Sequence, residues 1–151
     1  MDDQLKRTIY ETMSEVFETM FFTFLAPLHA APQEINQSGD YVKGKISYSG
    51  EVSGEVSIYF PKALARYITV NFLGFEENAV EGRQVLDTVR ETVNMSVGSL
   101  LGKLDPEGKC MLNIPEAAEM SGFVPESLIE EPGLCLFNTE FGLLLVVYKE
   151  K

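Results

Sequence analysis

The chain has 151 residues, of which 12 are Lys or Arg and 23 are Asp or Glu, so its formal net charge is −11 at pH 7. This length predicts a single domain, residues 1–151, that buries enough surface to fold without a disulfide or a metal. The acidic balance argues against a nucleic acid as the main partner, because phosphate binding needs clustered Lys and Arg.

The first predicted element is an amphipathic helix over residues 3–25. Its apolar residues recur at spacings of three and four from Leu5 to Phe24, which places them on one stripe, and Pro27 ends the helix. Residues 20–31 resemble the end of a signal peptide, but the segment before them is acidic and no run reaches the length of a membrane span. We therefore expect a soluble, cytoplasmic protein with no membrane partner.

A loop, a hairpin and a short helix follow. Residues 31–40 have the composition of a loop. Residues 41–48 and 52–60 are rich in strand-forming residues and flank Ser49-Gly50-Glu51, which predicts a hairpin. Pro61 opens a short helix at a position where proline is tolerated, and Gly74 is suited to end it.

A second long helix is predicted to run to about Leu104. Asn78, with Glu81 three residues later, resembles a capping box at its start. After a turn at residues 105–108, a short strand is predicted from Cys110 to Ile114. Residues 116–131 are predicted to be irregular, and a final hairpin has its strands at 134–138 and 141–148.

The sequence offers few ligands for a metal and little support for histidine chemistry. It has two cysteines, Cys110 and Cys135, and one histidine, His29. A structural zinc site would need more ligands, and no nucleophile motif accompanies His29. We therefore expect no metal site, no His-based triad, and two buried, reduced thiols.

The two long helices share a short pattern that suggests an internal repeat. Residues 14–21 and 87–94 both read Ser or Asp, three residues, Glu-Thr, an apolar residue and a variable one. Each helix is later followed by a hairpin. We therefore predict an α+β domain with a pseudo-two-fold repeat, in which two long helices pack on one face of an antiparallel or mixed sheet. The variable position is Phe21 in the first helix and Asn94 in the second.

One face of the second long helix carries polar side chains. At 100° per residue, Asp87, Glu91 and Asn94 fall within about 60° of one another, and Gly98 lies one turn further along. A glycine inside a helix costs about 1 kcal/mol relative to alanine, which the close approach of another backbone would explain. An ordinary solvated helix face is the alternative interpretation.

At these residues the sequence resembles the CheX branch of the CheC/CheX/FliY family of chemotaxis phosphatases. The family pattern of Asp or Ser, Glu, Asn and a later Pro is matched by Asp87, Glu91, Asn94 and Pro115. The likeness extends from about residue 5 to residue 149. Because Phe21 stands where a second Asn would be, the resemblance is to members with a single site.

The resemblance implies a phosphatase that hydrolyses the aspartyl phosphate of a phosphorylated CheY-like receiver domain. Asn94 is then expected to orient the attacking water, and Glu91 to pair with the receiver's active-site Lys. Asp87 and Gly98 are expected to contribute to partner binding. The protein would need no cofactor of its own, since the Mg²⁺ belongs to the receiver, and a homodimer joined through a sheet edge is expected.

Two other interpretations fit the same residues. In the first, the fold binds a receiver or a flagellar-switch component without catalysis, which predicts a complex without faster dephosphorylation. In the second, the protein is structural and the acidic helix face is merely solvated. That case predicts that loss of Glu91 and Asn94 changes neither binding nor turnover of any receiver.

Overall fold

The computed structural model describes residues 1–29, 39–74, 76 and 79–151. In this part of the chain the helices are α1 (Asp3–Phe21), α2 (Lys62–Leu73) and α3 (Gly82–Leu104). The strands are β1 (Ala26–Leu28), β2 (Gly39–Gly50), β3 (Gly54–Pro61), β4 (Cys110–Leu112), β5 (Glu116–Phe123), β6 (Leu134–Thr139) and β7 (Gly142–Glu150). They form one antiparallel sheet in the order β1-β6-β7-β3-β2-β4, and β5 also pairs with β2.

Local capping sets the bounds of α1. The side chain of Asp2 accepts a hydrogen bond from the Leu5 N–H at 2.7 Å, which starts the helix. Phe22 adopts a left-handed conformation with φ 52 and ends it, so the predicted end at residue 25 is wrong by four residues. The chain leaves the helix early because Leu25 is buried and residues 26–28, the unpredicted strand β1, pair with β6.

The other two helices begin and end close to the predicted positions. Helix α2 follows Pro61 and ends at Gly74, whose φ of 71 favours glycine. Helix α3 has a capping box in which the Glu81 N–H donates to Gln84 Oε1 at 2.9 Å. The box therefore starts at Glu81 and not at Asn78, which lies outside the described residues. Most of the predicted loop at residues 31–40 also lies outside them.

The prediction of an irregular segment at residues 116–131 is wrong in its first half. Residues Glu116–Phe123 form β5, which pairs with β2 along Tyr41 to Lys45. As a strand at the edge of the sheet, β5 keeps most of its side chains exposed, so it lacks the apolar alternation that identifies a strand. Its acidic residues face lysines, with Glu116 3.6 Å from Lys45 and Glu119 3.8 Å from Lys62.

Two apolar clusters lie on the two faces of the sheet. The larger cluster joins the helices to alternate strand residues such as Ile46, Ile58 and Val146. The smaller one contains the neighbouring residues, among them Tyr59 and Leu145, because successive side chains of a strand point to opposite faces. The long helices α1 and α3 thus pack on one face, as predicted.

Helix α3 approaches the sheet closely at Gly44 of β2. A Cβ at this position would overlap the side chain of Val93 and lie 2.9 Å from Val89 Cγ1. Both valines are fully buried. This contact holds one side of α3 against the sheet, and the opposite side, which carries the predicted site, faces outward.

The strand order has the arrangement that a duplicated unit would give. Each long helix is followed by a short strand, β1 or β4, and later by a hairpin, β2–β3 or β6–β7. Strand β1 pairs with β6 and strand β4 pairs with β2, so each short strand pairs with the first strand of the hairpin that belongs to the other unit. The two hairpins are joined by the pairing of β3 with β7. The internal repeat itself stays a prediction.

Candidate functional site

The polar face predicted on the second long helix lies on the outer surface of α3. The Asp87 and Glu91 side chains are exposed, and Asn94 is half-buried. On the inner side of the same helix, Val89 and Val93 are fully buried. The helical spacing therefore placed these three polar residues on the correct side of α3.

The two predicted catalytic side chains have no partner within the described residues. Neither the carboxylate of Glu91 nor the amide of Asn94 forms a hydrogen bond or an ion pair there. The Asn94 amide thus keeps one acceptor and two donor hydrogens for a group outside the chain. Glu91, which lies three residues before Asn94, keeps its charge available for a cation.

Asp87 does have a partner, Arg90, which the sequence analysis did not single out. Arg90 Nη1 donates to Asp87 Oδ1 at 2.6 Å, while the two side chains remain 38% and 63% exposed. The spacing of Asp and Arg at i and i+3 on a helix is the sequence signal that could have predicted this contact. The Asp87 carboxylate is therefore already engaged within the chain.

Two hollows flank the polar face. A cleft of about 650 Å³ lies towards α2, where Asp87 and Glu91 share it with Phe72 and Leu73. Phe72 and Leu73 are 41% and 38% exposed, and the sequence analysis assigned neither of them to the site. Phe72 and Leu73 belong to α2, an earlier part of the chain, so the sequence of α3 alone could not predict that they lie beside Glu91.

The second hollow lies towards β5 and is basic on balance, since three cationic residues and one acidic residue, Glu116, line it. It has a volume of about 520 Å³, and its lining includes Lys43, Lys45, Arg90 and Pro115. Pro115, the last residue of the matched pattern, therefore lies in the same hollow as a residue of α3. The polar face therefore has a cation of α3, Arg90, on its β5 side, whereas its α2 side carries Glu91 together with Arg83.

Gly98 lies further along α3, beside β4. A Cβ at Gly98 would meet Leu112 Cδ1 at 3.6 Å, an ordinary contact distance. Packing within the described chain therefore does not require a glycine here. This leaves open the predicted role of Gly98 in the approach of another molecule.

The matching position of α1 has no polar group to offer. Phe21 is fully buried, and its ring centroid lies 5.6 Å from that of Phe17 and 6.1 Å from that of Phe72. Glu18, the counterpart of Glu91, is exposed. On α1 the position that corresponds to Asn94 is thus part of the core.

Other chemical groups give no second site in the described ranges. No cluster of His, Cys, Asp and Glu there could hold a metal ion. Both cysteines are free; Cys135 is buried, which raises its pKa to about 11, whereas Cys110 is half-buried, contrary to expectation. His29 is exposed and packs against the ring of Tyr10 at 5.0 Å. None of the described helices is both long and apolar enough to cross a membrane.

Comparison of the sequence with known families gives one match. The model of the chemotaxis phosphatase CheX family matches residues 42–136, more than half of the chain. The matched range includes Asp87, Glu91, Asn94 and Pro115. A search of the curated proteins gives no match.

Several solved structures share the fold. A CheC-like superfamily protein from Shewanella sp. PV-4 is 21% identical with a TM-score of 0.77, over 100% of this chain and 99% of that chain. The chemotaxis protein CheX from Vibrio vulnificus is 25% identical with a TM-score of 0.74, over 96% and 95%. A chain of the CheX–CheY–BeF3–Mg²⁺ complex from Borrelia burgdorferi is 14% identical with a TM-score of 0.67, over 96% and 96%.

Proposed function

The chain belongs to the CheX family of chemotaxis phosphatases, and we propose that it hydrolyses the aspartyl phosphate of a CheY-like receiver domain. The observation that carries this proposal is the unpaired Asn94 amide on the outer face of α3, with Glu91 beside it. The complex of a structurally similar CheX with CheY supports the choice of partner.

Asn94 acts on the attacking water. Phosphoryl transfer depends mainly on positioning and on electrostatic stabilisation, so an amide that holds a water in line with the phosphorus is sufficient. The amide both accepts and donates hydrogen bonds and adds no charge beside the phosphoryl group. Because α3 is held against β2 at Gly44, the amide is carried on a rigid element.

Glu91 sets the position of the partner. Its exposed carboxylate pairs with the active-site Lys of the receiver, and this contact brings Asn94 to the phosphorylated Asp. Gly98 leaves room for the receiver's backbone on the same face. The receiver supplies the Mg²⁺, and the chain contributes no cofactor of its own.

The test compares turnover with binding. A radiolabelled phosphorylated receiver is incubated with the protein, and loss of label is followed with time. Asn94→Ala is expected to abolish the acceleration while binding to the beryllofluoride-loaded receiver persists, whereas Glu91→Ala is expected to weaken both. Unchanged turnover in Asn94→Ala refutes the mechanism. A wild-type complex without faster loss of label would identify a non-catalytic binding module instead.

We also propose that the chain forms a homodimer through a sheet edge. In the described residues β1 lies at one end of the sheet and β4 and β5 at the other, and an unpaired edge invites pairing with a second chain. Phe22 and Phe24, which precede β1, are 83% and 69% exposed. Light scattering coupled to size-exclusion chromatography is expected to give twice the chain mass, and a monomeric mass refutes the dimer.

A further inference from the structure

Arg90 lies on the outer face of α3 beside the predicted catalytic amide. It precedes Asn94 by four residues, which at 100° per residue puts the two side chains about 40° apart and one turn from each other. The Arg90 side chain is 38% exposed. A protein domain that covers Asn94 would therefore also cover Arg90.

Asp87 holds this guanidinium in place. The contact between Arg90 Nη1 and Asp87 Oδ1 is 2.6 Å, and a charge-assisted hydrogen bond favours the rotamers in which the guanidinium lies beside Asp87. Because this contact uses Nη1, the remaining N–H groups of the guanidinium are available to another anion. Asp87 is therefore suited to orient Arg90 and less suited to bind a partner directly.

The charge around Arg90 is unusual for this protein. The chain has a net charge of −11, yet the hollow beside Arg90 is also lined by Lys43 and Lys45, against one acidic residue, Glu116. Lys45 forms ion pairs with Glu55 at 4.0 Å and with Glu116 at 3.6 Å. Arg90 is thus the cation of this hollow that lies on the helix of the predicted site.

We infer that Arg90 binds an oxygen of the receiver's phosphoryl group during hydrolysis and that Asp87 is a positioning residue for it. This inference rests on the proposed function. In the loose transition state the phosphoryl oxygens carry the negative charge, and a preorganised guanidinium stabilises that charge. The receiver would then lie across α3 with its Lys towards Glu91 and its phosphoryl group towards Asn94 and Arg90.

Steady-state kinetics with the phosphorylated receiver test the inference. Loss of one charge-assisted hydrogen bond corresponds to roughly a tenfold effect, so Arg90→Gln is expected to lower kcat by about that factor with little change in KM. Arg90→Lys keeps the charge but loses the planar fork and is expected to recover part of the rate. An unchanged kcat in Arg90→Gln, or a loss confined to KM, overturns the inference.

A double-mutant cycle tests the role of Asp87. If Asp87 acts through Arg90, Asp87→Asn lowers kcat in the wild-type background and has no further effect in Arg90→Gln. Additive effects would overturn the positioning role. Lys103→Gln is the matched control, because Lys103 also lies on α3 and pairs with an exposed carboxylate, that of Glu15 on α1, at 3.0 Å. This variant is expected to retain wild-type kinetics.

Two further results separate this inference from the proposed function. Circular dichroism and the Tm of each variant are expected to match the wild type, because Arg90 and Asp87 are both partly exposed. If Asn94→Ala is inactive while Arg90→Gln is fully active, the inference about Arg90 fails and the proposed function stands. If Asn94→Ala is fully active, the proposed mechanism fails.

Discussion

Replacing Asn94 with alanine is expected to remove the phosphatase activity without destabilising the fold. The amide has no hydrogen-bond partner among the described residues, so its loss breaks no internal bond. Alanine is also a better helix former than asparagine by roughly 0.5 kcal/mol, which offsets the burial lost with a half-buried side chain. The free energy of unfolding should therefore change by less than about 0.5 kcal/mol, whereas the rate should fall by about 10²–10³ if the amide is a preorganised catalytic group.

The matched position in α1 predicts the opposite result. Phe21 is fully buried against Phe17 and Phe72, and a large-to-small change of a buried aromatic residue to alanine costs about 3–5 kcal/mol. Phe21→Leu, which leaves a smaller cavity, is expected to cost about 1–2 kcal/mol. Turnover per folded molecule should be unchanged in Phe21→Leu, because Phe21 offers no polar group to the receiver.

Urea unfolding and the label-release assay, performed on the same preparations, check this pair of predictions. Unfolding can be followed by tyrosine fluorescence, since the chain has six Tyr and no Trp. If Asn94→Ala loses more than about 1.5 kcal/mol of stability, the amide has a structural role and the reasoning is refuted. Equal losses of activity at positions 94 and 21 would also contradict it.

Three further predictions concern the scaffold. Gly44→Ala should lower the free energy of unfolding by about 1–3 kcal/mol, because the added Cβ overlaps the Val93 side chain, and an unchanged Tm in a thermal scan would contradict this. Burial raises the pKa of Tyr41 from 10.0 to about 12. Between these pH values the Tyr41 hydroxyl is deprotonated in the unfolded chain but still protonated in the folded one, so the free energy of unfolding should fall as pH rises from 10 to 12. Urea titrations at pH 10 to 12 should show that the free energy of unfolding of Tyr41→Phe falls less steeply with pH than that of the wild type. An identical pH dependence in the two proteins would contradict this prediction. The Cys110 N–H, which donates to Asp105 Oδ2 at 2.7 Å, holds the pKa of Asp105 below its ordinary 3.8. Asp105 should therefore stabilise the fold above that value and lose this effect as pH falls through the lowered pKa, and Asp105→Asn should weaken the acid dependence measured by Tm from pH 2 to 6.

Local sequence signals were sufficient to predict the three helices and the two hairpins, although not the end of α1. Pro61 and Gly74 bracket α2 because each restricts or permits backbone conformations whatever the rest of the chain does. The strands β1 and β5 were missed for the reverse reason. Pro27 looked like a helix end, yet it lies in β1 opposite Phe137 of β6, and that pairing joins residues more than a hundred positions apart.

The candidate site likewise has one part that the sequence predicted and another part that it did not. Helical periodicity alone placed Glu91 and Asn94 on one exposed face, because the angle between two residues of a helix depends only on their spacing. The side of α3 that is buried also follows from its valines. By contrast, the basic hollow combines Arg90 with Lys43 and Pro115 from different elements, so no single segment could have revealed it.

The sequence by itself determined the type of fold, its helices, the polar face of α3 and the family pattern, since all of these depend on spacing along the chain. Only the tertiary structure decided that Phe72 and Leu73 lie beside Glu91, that Arg90 shares a hollow with two lysines, and that Phe21 is in the core. These facts depend on which distant segments pack together, and packing is set by the whole core and not by any local pattern.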